Sequence, residues 1–335
     1  MSNALGALLA SEPLSNPQAE RVRSTARLST AAGRKKTGSF LVEGPQAVRE
    51  ALVAQQERFD AARAATGGKV GKGGKGKGGK GAKGPKGGQQ SGGSAPTRLV
   101  EDVFITAERA EREPGLVMDG VRTHLVTDEV LAVLADTVRP QGVVARCSQA
   151  AVSVPLETVA REGAGLVAVL ARVQDPGNAG TILRAADAAG ATGVIALSGT
   201  VDVFSPKVVR STVGSLFHLP VVTGVSLEDA SVALKRAGIS ALAADGYGDT
   251  DLDVLQDDAA ARRVGSTVKG AAKRFSLTAP TAWFFGNEGQ GLSDDELAAC
   301  LDRVAIPLYG RAESLNVGTA ATLCLYASAR AQRGS

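Results

Sequence analysis

From Leu166 onward the chain alternates short apolar runs with segments of helical pattern. The runs are Leu166–Ala171, Gly193–Leu197, Leu219–Thr223, Ile239–Ala244, Ala282–Phe285 and Val304–Pro307. Near-continuous apolar runs of this length are what strands covered on both faces require. Between and after them lie Gly180–Ala189, Pro206–Val213 opened by Ser205, Leu227–Ala237, Ser293–Leu301 and Leu315–Arg330, with lengths suited to helical crossovers. The pattern predicts an α/β domain over residues 166–335, built on a parallel sheet flanked by helices.

Upstream the same reading gives a smaller α/β unit over residues 19–150. It expects a strand at Ser39–Glu43, a helix at Pro45–Gln55, strands near Val100–Ile105 and Thr123–Val126, and a helix from Asp128 to about Asp136 capped by Thr127. Arg139-Pro140-Gln141-Gly142 breaks the chain. Residues 1–18 are expected as a flexible leader and 151–165 as a linker. At 335 residues the chain is long enough for two domains, each with its own core.

Charge changes this picture at one place. Residues 66–95 hold seven lysines (Lys69, Lys72, Lys75, Lys77, Lys80, Lys83 and Lys86) among glycines and no acid, against a net charge of +4 for the whole chain. The rest is therefore mildly acidic. A Lys/Gly tract cannot bury apolar area to offset its ordering entropy, so it is expected as a disordered cationic insertion. It suits holding a polyanion such as RNA near a binding face; a tolerated, solvated loop is the plainer alternative. Gly71, Gly76 and Lys77 imitate a P-loop, but Gly78 stands where Ser or Thr would hold magnesium, and no strand precedes it. Arg262–Arg274 carries five cations (Arg262, Arg263, Lys269, Lys273 and Arg274) and reads as a second basic loop, again either an RNA contact or a solvated surface.

Composition removes several classes of function. Cys147, Cys300 and Cys324 are an odd set without Cys-x-x-Cys spacing, which fits neither a disulfide framework nor a zinc ribbon, so a reduced cytoplasm is the expected setting. Two histidines, His124 and His218, leave little for a metal site or a Ser-His-Asp triad, and no metal is expected. His218, beside Phe217 and Leu219, reads as a core or interface residue rather than a catalyst. Aromatics at 4 % argue against an aromatic base-stacking sheet. No apolar run reaches the roughly 18 residues of a membrane span.

Three Gly/Asn-rich loops follow predicted strands: Val173-Gln174-Asp175-Pro176-Gly177-Asn178-Ala179-Gly180, Phe285-Gly286-Asn287-Glu288-Gly289-Gln290-Gly291, and the stretch from Ile306 to Asn316. Ligands of open α/β sheets bind beyond the carboxyl ends of strands, where such loops lie. A dinucleotide fold is disfavoured: Gly286, Gly289 and Gly291 run G-x-x-G-x-G, late in the domain.

The first loop continues Thr181-Ile182-Leu183-Arg184-Ala185-Ala186, the second ends in Leu292, and the third reads Ile306-Pro307-Leu308, then Glu313-Ser314-Leu315-Asn316-Val317. In that order they resemble the three motifs of the SpoU (TrmH-like) branch of the SPOUT RNA 2′-O-ribose methyltransferases. Gly38–Gly44 and Pro140-Gln141-Gly142 are similar, more loosely, to that family's N-terminal L30e-like substrate-binding domain. The Lys/Gly insertion departs from it.

The resemblance implies a homodimer with a C-terminal deep trefoil knot, using S-adenosylmethionine to methylate RNA, with ribosomal RNA favoured over transfer RNA. It implies a cofactor held largely by backbone around Leu242, Ala243, Ala244, Gly246, Gly286, Asn287, Gly291, Ile306, Leu308, Ser314, Leu315 and Asn316. It implies catalytic roles for Asn178, Arg184, Glu288, Ser314 and Asn316. A surface ion pair for Arg184, a helix-dipole partner for Glu288 and caps of the last helix for Ser314 and Asn316 are the plainer alternatives. A transfer-RNA methyltransferase, a thiostrepton-type resistance methyltransferase and a non-catalytic assembly factor are the other functions weighed.

Overall fold

A computed structural model describes residues 3–67, 98–266 and 275–333. Most of the Lys/Gly tract, together with Lys269, Lys273 and Arg274, lies outside the described residues.

The first unit runs α1 (Asn3–Leu9), α2 (Glu20–Ala26), α3 (Ala31–Thr37), β1 (Ser39–Glu43), α4 (Pro45–Gly67), β2 (Val100–Ile105), α5 (Ala107–Arg112), β3 (Arg122–Leu125), α6 (Asp128–Leu134) and β4 (Val143–Ser148). Its sheet has the order β1-β4-β2-β3, antiparallel except for the β2–β3 pair. Thr127 caps α6 as expected, its side chain accepting from the Val130 amide.

Three features differ from the expectation. Strand β4, unforeseen, pairs with both β1 and β2 in the middle of the sheet; the apolar Val143, Val144 and Ala145 that begin it follow the chain break at once. The leader is not frayed: α1 buries Leu5 and Leu8 in the core, and Leu14 bridges to Val126 beside the sheet. Residues 151–165 form a packed connection, not a loose linker. There α7 (Gln149–Val152) is followed by α8 (Leu156–Val159), with Val152, Val159 and Ala164 buried and Ser153 bridged to Val221.

The second unit runs β5 (Leu166–Leu170), α9 (Pro176–Ala189), β6 (Gly193–Leu197), α10 (Pro206–Thr212), β7 (Val221–Val225), α11 (Leu227–Arg236), β8 (Ser240–Ala244), β9 (Thr250–Asp251), α12 (Leu252–Arg263), β10 (Thr281–Phe285), α13 (Asp294–Ala298), β11 (Asp302–Ala305) and α14 (Val317–Arg333). Its sheet is parallel, in the order β7-β6-β5-β10-β8-β11-β9. Successive side chains alternate between two apolar layers. Leu166, Ala168 and Leu170 join the layer of α9, α10 and α14, whereas Val167 and Val169 join that of α8 and α11. That division explains why the strands read as unbroken apolar runs.

Of the basic stretch expected as a loop, Arg262 and Arg263 instead end the helix α12, while residues 264–266 are non-helical. Leu252, Leu255 and Ala259 supply a buried stripe for α12, and Arg262 is held 2.7 Å from the buried Asp258.

The two units share one continuous core. Phe40 of β1 packs against Phe204 and Phe217, with centroids 4.9 and 6.3 Å away. Around this contact Arg34 reaches Asp202 at 2.7 Å, and Arg210 pairs with Glu43 and Asp136. His218 is an interface residue: Nδ1 lies 2.8 Å from Asp187 on α9 and Nε2 3.4 Å from Glu50 on α4. Partial burial opposes its charged form, but the Asp187 and Glu50 carboxylates outweigh that and raise its pKa above the ordinary 6.5. A raised folded-state pKa contributes stability that is complete below the unfolded value and lost as pH rises through the folded one. Denaturant melts between about pH 6 and pH 9 should therefore show the stability gap between wild type and His218→Asn closing as pH rises. A gap independent of pH would show that the imidazolium contributes nothing.

Candidate active site

In a parallel sheet all carboxyl ends face one edge, so the loops after the neighbouring strands β5, β10, β8 and β11 converge there. Each is shaped by local chemistry. After β5, Asp175 caps α9 by accepting from the Asn178 amide at 2.9 Å, and Pro176 opens the helix, where a missing N–H costs nothing. After β10 the chain folds back on itself through paired backbone bonds between Asn287 and Gly291, at 3.0 and 2.8 Å. The Asn287 side chain accepts from the amides of Gly289 and Gln290 and so fixes the turn from inside. Gly291 turns with φ +68°, and a Cβ on Gly286 would lie 2.4 Å from the Gly291 carbonyl carbon. After β11, residues 306–316 carry no regular secondary structure until Asn316 accepts from the Gly318 and Thr319 amides and starts α14.

The three loops meet in one hydrogen-bonded cluster. The Asn178 carboxamide donates to Glu288 at 3.1 Å, and Asn316 donates to the Asn178 carbonyl oxygen at 2.9 Å. Glu288 also accepts from the backbone amides of Gln174 and Asp175, at 3.2 and 3.1 Å. Partial burial opposes ionisation of Glu288, but its own amide, Asn178 and these two amides outweigh it and hold the carboxyl below its ordinary range. Glu288 is thus a fixed anion near neutral pH. Asn316 serves both as a cap and as a member of the cluster.

The remaining candidates lie apart from that network. Arg184, on the third turn of α9, is exposed, and its side chain makes no hydrogen bond or ion pair among the described residues. Ser314 is exposed on the third loop. Leu242 and Ala243 are buried within β8 and paired on both flanks, so the site side of that stretch begins at Ala244 and Gly246. Ile306 and Leu315 are half-buried and Leu308 is exposed. Small residues on two loops and an apolar rim on the third fit the uncharged adenosine part of S-adenosylmethionine. No group of His, Cys, Asp and Glu suited to a metal ion occurs among the described residues.

The SpoU rRNA Methylase family matches residues 165–326. The 23S rRNA (guanosine-2′-O-)-methyltransferase RlmB of Bordetella pertussis is 30 % identical over 242 residues, spanning 70 % of this chain and 91 % of that protein. This chain belongs to the SpoU rRNA methylase family. Over more of its length the SpoU chain is also 29 % identical to RlmP of Bacillus subtilis, a 23S rRNA (guanosine(2553)-2′-O)-methyltransferase, covering 92 % of this chain and 95 % of that one. Among solved structures, the SpoU methyltransferase AviRb of Streptomyces viridochromogenes, in complex with the cofactor AdoMet, superposes with a TM-score of 0.66. That match has 28 % identity and covers 94 % of this chain and 98 % of the other.

Gln174 and Asp175 were not foreseen as partners of Glu288. They act through backbone amides, which leave no side-chain signature, although Asp175-Pro176 marks the helix start that aims them.

Proposed function

We propose that this SpoU protein methylates the 2′-hydroxyl of a ribose in 23S ribosomal RNA, using S-adenosylmethionine. The observation that carries the reading is the cluster in which Asn178, Glu288 and Asn316, one from each motif, are hydrogen-bonded at the N-terminus of α9, the helix that presents Arg184 six residues beyond Asn178. When bound, the cofactor supplies a methyl group on a positively charged sulfur.

The chain's own residues do the rest. Arg184, unpaired and exposed, binds the phosphate beside the target ribose through its planar fork and stabilises negative charge developing on the 2′-oxygen. It stays protonated, so its charge favours loss of the hydroxyl proton to solvent water as the methyl group leaves the sulfur for the 2′-oxygen, and it does not itself accept that proton. Glu288 has its oxygens committed to Asn178 and two backbone amides, so it orients Asn178 rather than acting as a base. Asn178 and Asn316 hold the geometry between the loops, and the Ser314 hydroxyl hydrogen-bonds the ribose. Gly286, Asn287 and Gly291 with Ala244, Gly246, Ile306, Leu308 and Leu315 form the cofactor wall; Leu242 and Ala243 support it from within β8.

The first unit is the RNA-reading domain, L30e-like, and the Lys/Gly tract adds electrostatic hold on the RNA. The enzyme works in the cytoplasm as a homodimer, pairing through α14, where Leu323 and Tyr326 are 44 % and 49 % exposed. The segment ending in α14, which returns across the sheet to pack on α9, forms the trefoil knot. To test the substrate, unmodified total RNA is incubated with protein and methyl-labelled S-adenosylmethionine and then fractionated by size. Label in 23S rRNA is expected; label confined to transfer RNA would replace the ribosomal target.

A further inference from the structure

Arg172 lies two residues past the end of β5 and precedes the Gln174 and Asp175 amides that hold Glu288. Its side chain leaves this loop and crosses to the next. Nε and Nη2 each lie 2.8 Å from the two carboxylate oxygens of Glu296, a bidentate pair with a carboxylate only 6 % exposed. Nη2 also approaches the Gly291 carbonyl oxygen at 3.5 Å, and the Arg172 carbonyl accepts from the Asn287 carboxamide at 3.3 Å. One residue thus grips both ends of the 287–291 turn. Through Glu296, which accepts from the Ser293 amide at 2.7 Å in a capping box, it also grips the start of α13.

The backbone of Arg172 is left-handed, with φ 58°, a conformation uncommon outside glycine. Such a residue persists where its surroundings over-determine it, and strained backbone of this kind clusters at functional sites. Here the surroundings are the turn that carries Glu288.

Resting on the methyltransferase reading above, we propose that Arg172 is a positioning residue: by clamping the 287–291 turn and α13 onto the loop after β5, it sets where the Glu288 carboxylate stands beneath Asn178. It touches neither substrate nor cofactor. Without the clamp, the turn is free to slide relative to the Gln174 and Asp175 amides, and Asn178 loses its fixed partner.

The test is a double-mutant cycle between Arg172→Lys and Glu288→Gln, read by single-turnover methyl transfer and thermal melting. Lysine keeps the charge and loses the fork. Arg172→Lys should lower the transfer rate by at least about tenfold with RNA affinity unchanged, since small misplacement of a catalytic array is costly in rate. On the Glu288→Gln background the same change should cost less than about twofold, because its effect passes through Glu288. Arg172→Gly combined with Glu296→Gln relieves the backbone strain and leaves no buried charge, so it reports the same loss even if the lysine variant folds poorly. Wild-type rates in the variants, or equal losses on both backgrounds, overturn the assignment. Methyl transfer by unaltered protein separates the two readings: an inert wild type overturns the proposed function and this role with it.

Discussion

Arg184→Ala should abolish most methyl transfer and leave the fold intact. The guanidinium is exposed and makes no bond among the described residues, so nothing in the structure depends on it, and stability should stay within about 0.5 kcal/mol of wild type. If Arg184 stabilises charge on the 2′-oxygen, its loss should lower the single-turnover rate by about 10²–10³-fold. Arg184→Lys, which keeps the charge without the planar fork, should fall between the two. Thermal melts alongside rate measurements with 23S rRNA separate chemistry from folding. Full turnover in a normally folded alanine variant would remove Arg184 from the mechanism.

The second large effect is expected at Gly286, where one methyl group should cost the cofactor site its shape. A Cβ there would sit 2.4 Å from the Gly291 carbonyl carbon, 2.6 Å from the Leu292 nitrogen and 2.7 Å from the Gly291 oxygen. All three are backbone atoms of the turn that pairs with Asn287, so the turn must open. Overpacking of this kind destabilises by about 1–3 kcal/mol. The shift also moves the loop proposed to hold the cofactor, and S-adenosylmethionine affinity measured by calorimetry should weaken at least about tenfold, or ~1.4 kcal/mol. Gly289→Ala is the control: its Cβ would meet only the Asn287 side-chain oxygen, at 3.6 Å, and affinity should hold. Unchanged binding in Gly286→Ala would place the cofactor elsewhere.

What the sequence discloses follows from how each contact is made. Strands β5, β6 and β10 were legible because both faces are buried, which makes runs such as Leu166–Leu170 apolar throughout. Strand β4 was missed although Val143–Ala145 is apolar, since six residues ending in Arg146, Cys147 and Ser148 carry no clear period. Helix α12 was hidden by its charges, and only the spacing of Leu252, Leu255 and Ala259 betrays it. Tertiary contact decided the ends of the first unit: Leu5 and Leu8 hold α1 in a core that local sequence does not reveal.

The site divides in the same way. The motif residues were nameable, but their contacts join positions 110 and 138 residues apart, which no local spacing encodes. Gln174 and Asp175 act through the main chain, and Arg172 pairs with a glutamate 124 residues further on. His218 was read as a core or interface residue from its apolar neighbours, and it stands between the units, bound to a carboxylate from each.

Where the methyl group goes decides between a ribose and a base as the acceptor. Labelled 23S rRNA from the reaction is hydrolysed in alkali and the products are separated. A ribose methylated on its 2′-oxygen cannot be cleaved at its own linkage, so label is expected in alkali-resistant dinucleotides. Label recovered only in mononucleotides would mean that a base, not a ribose, is the acceptor, and would contradict the roles assigned here to Arg184 and the Asn178–Glu288–Asn316 cluster.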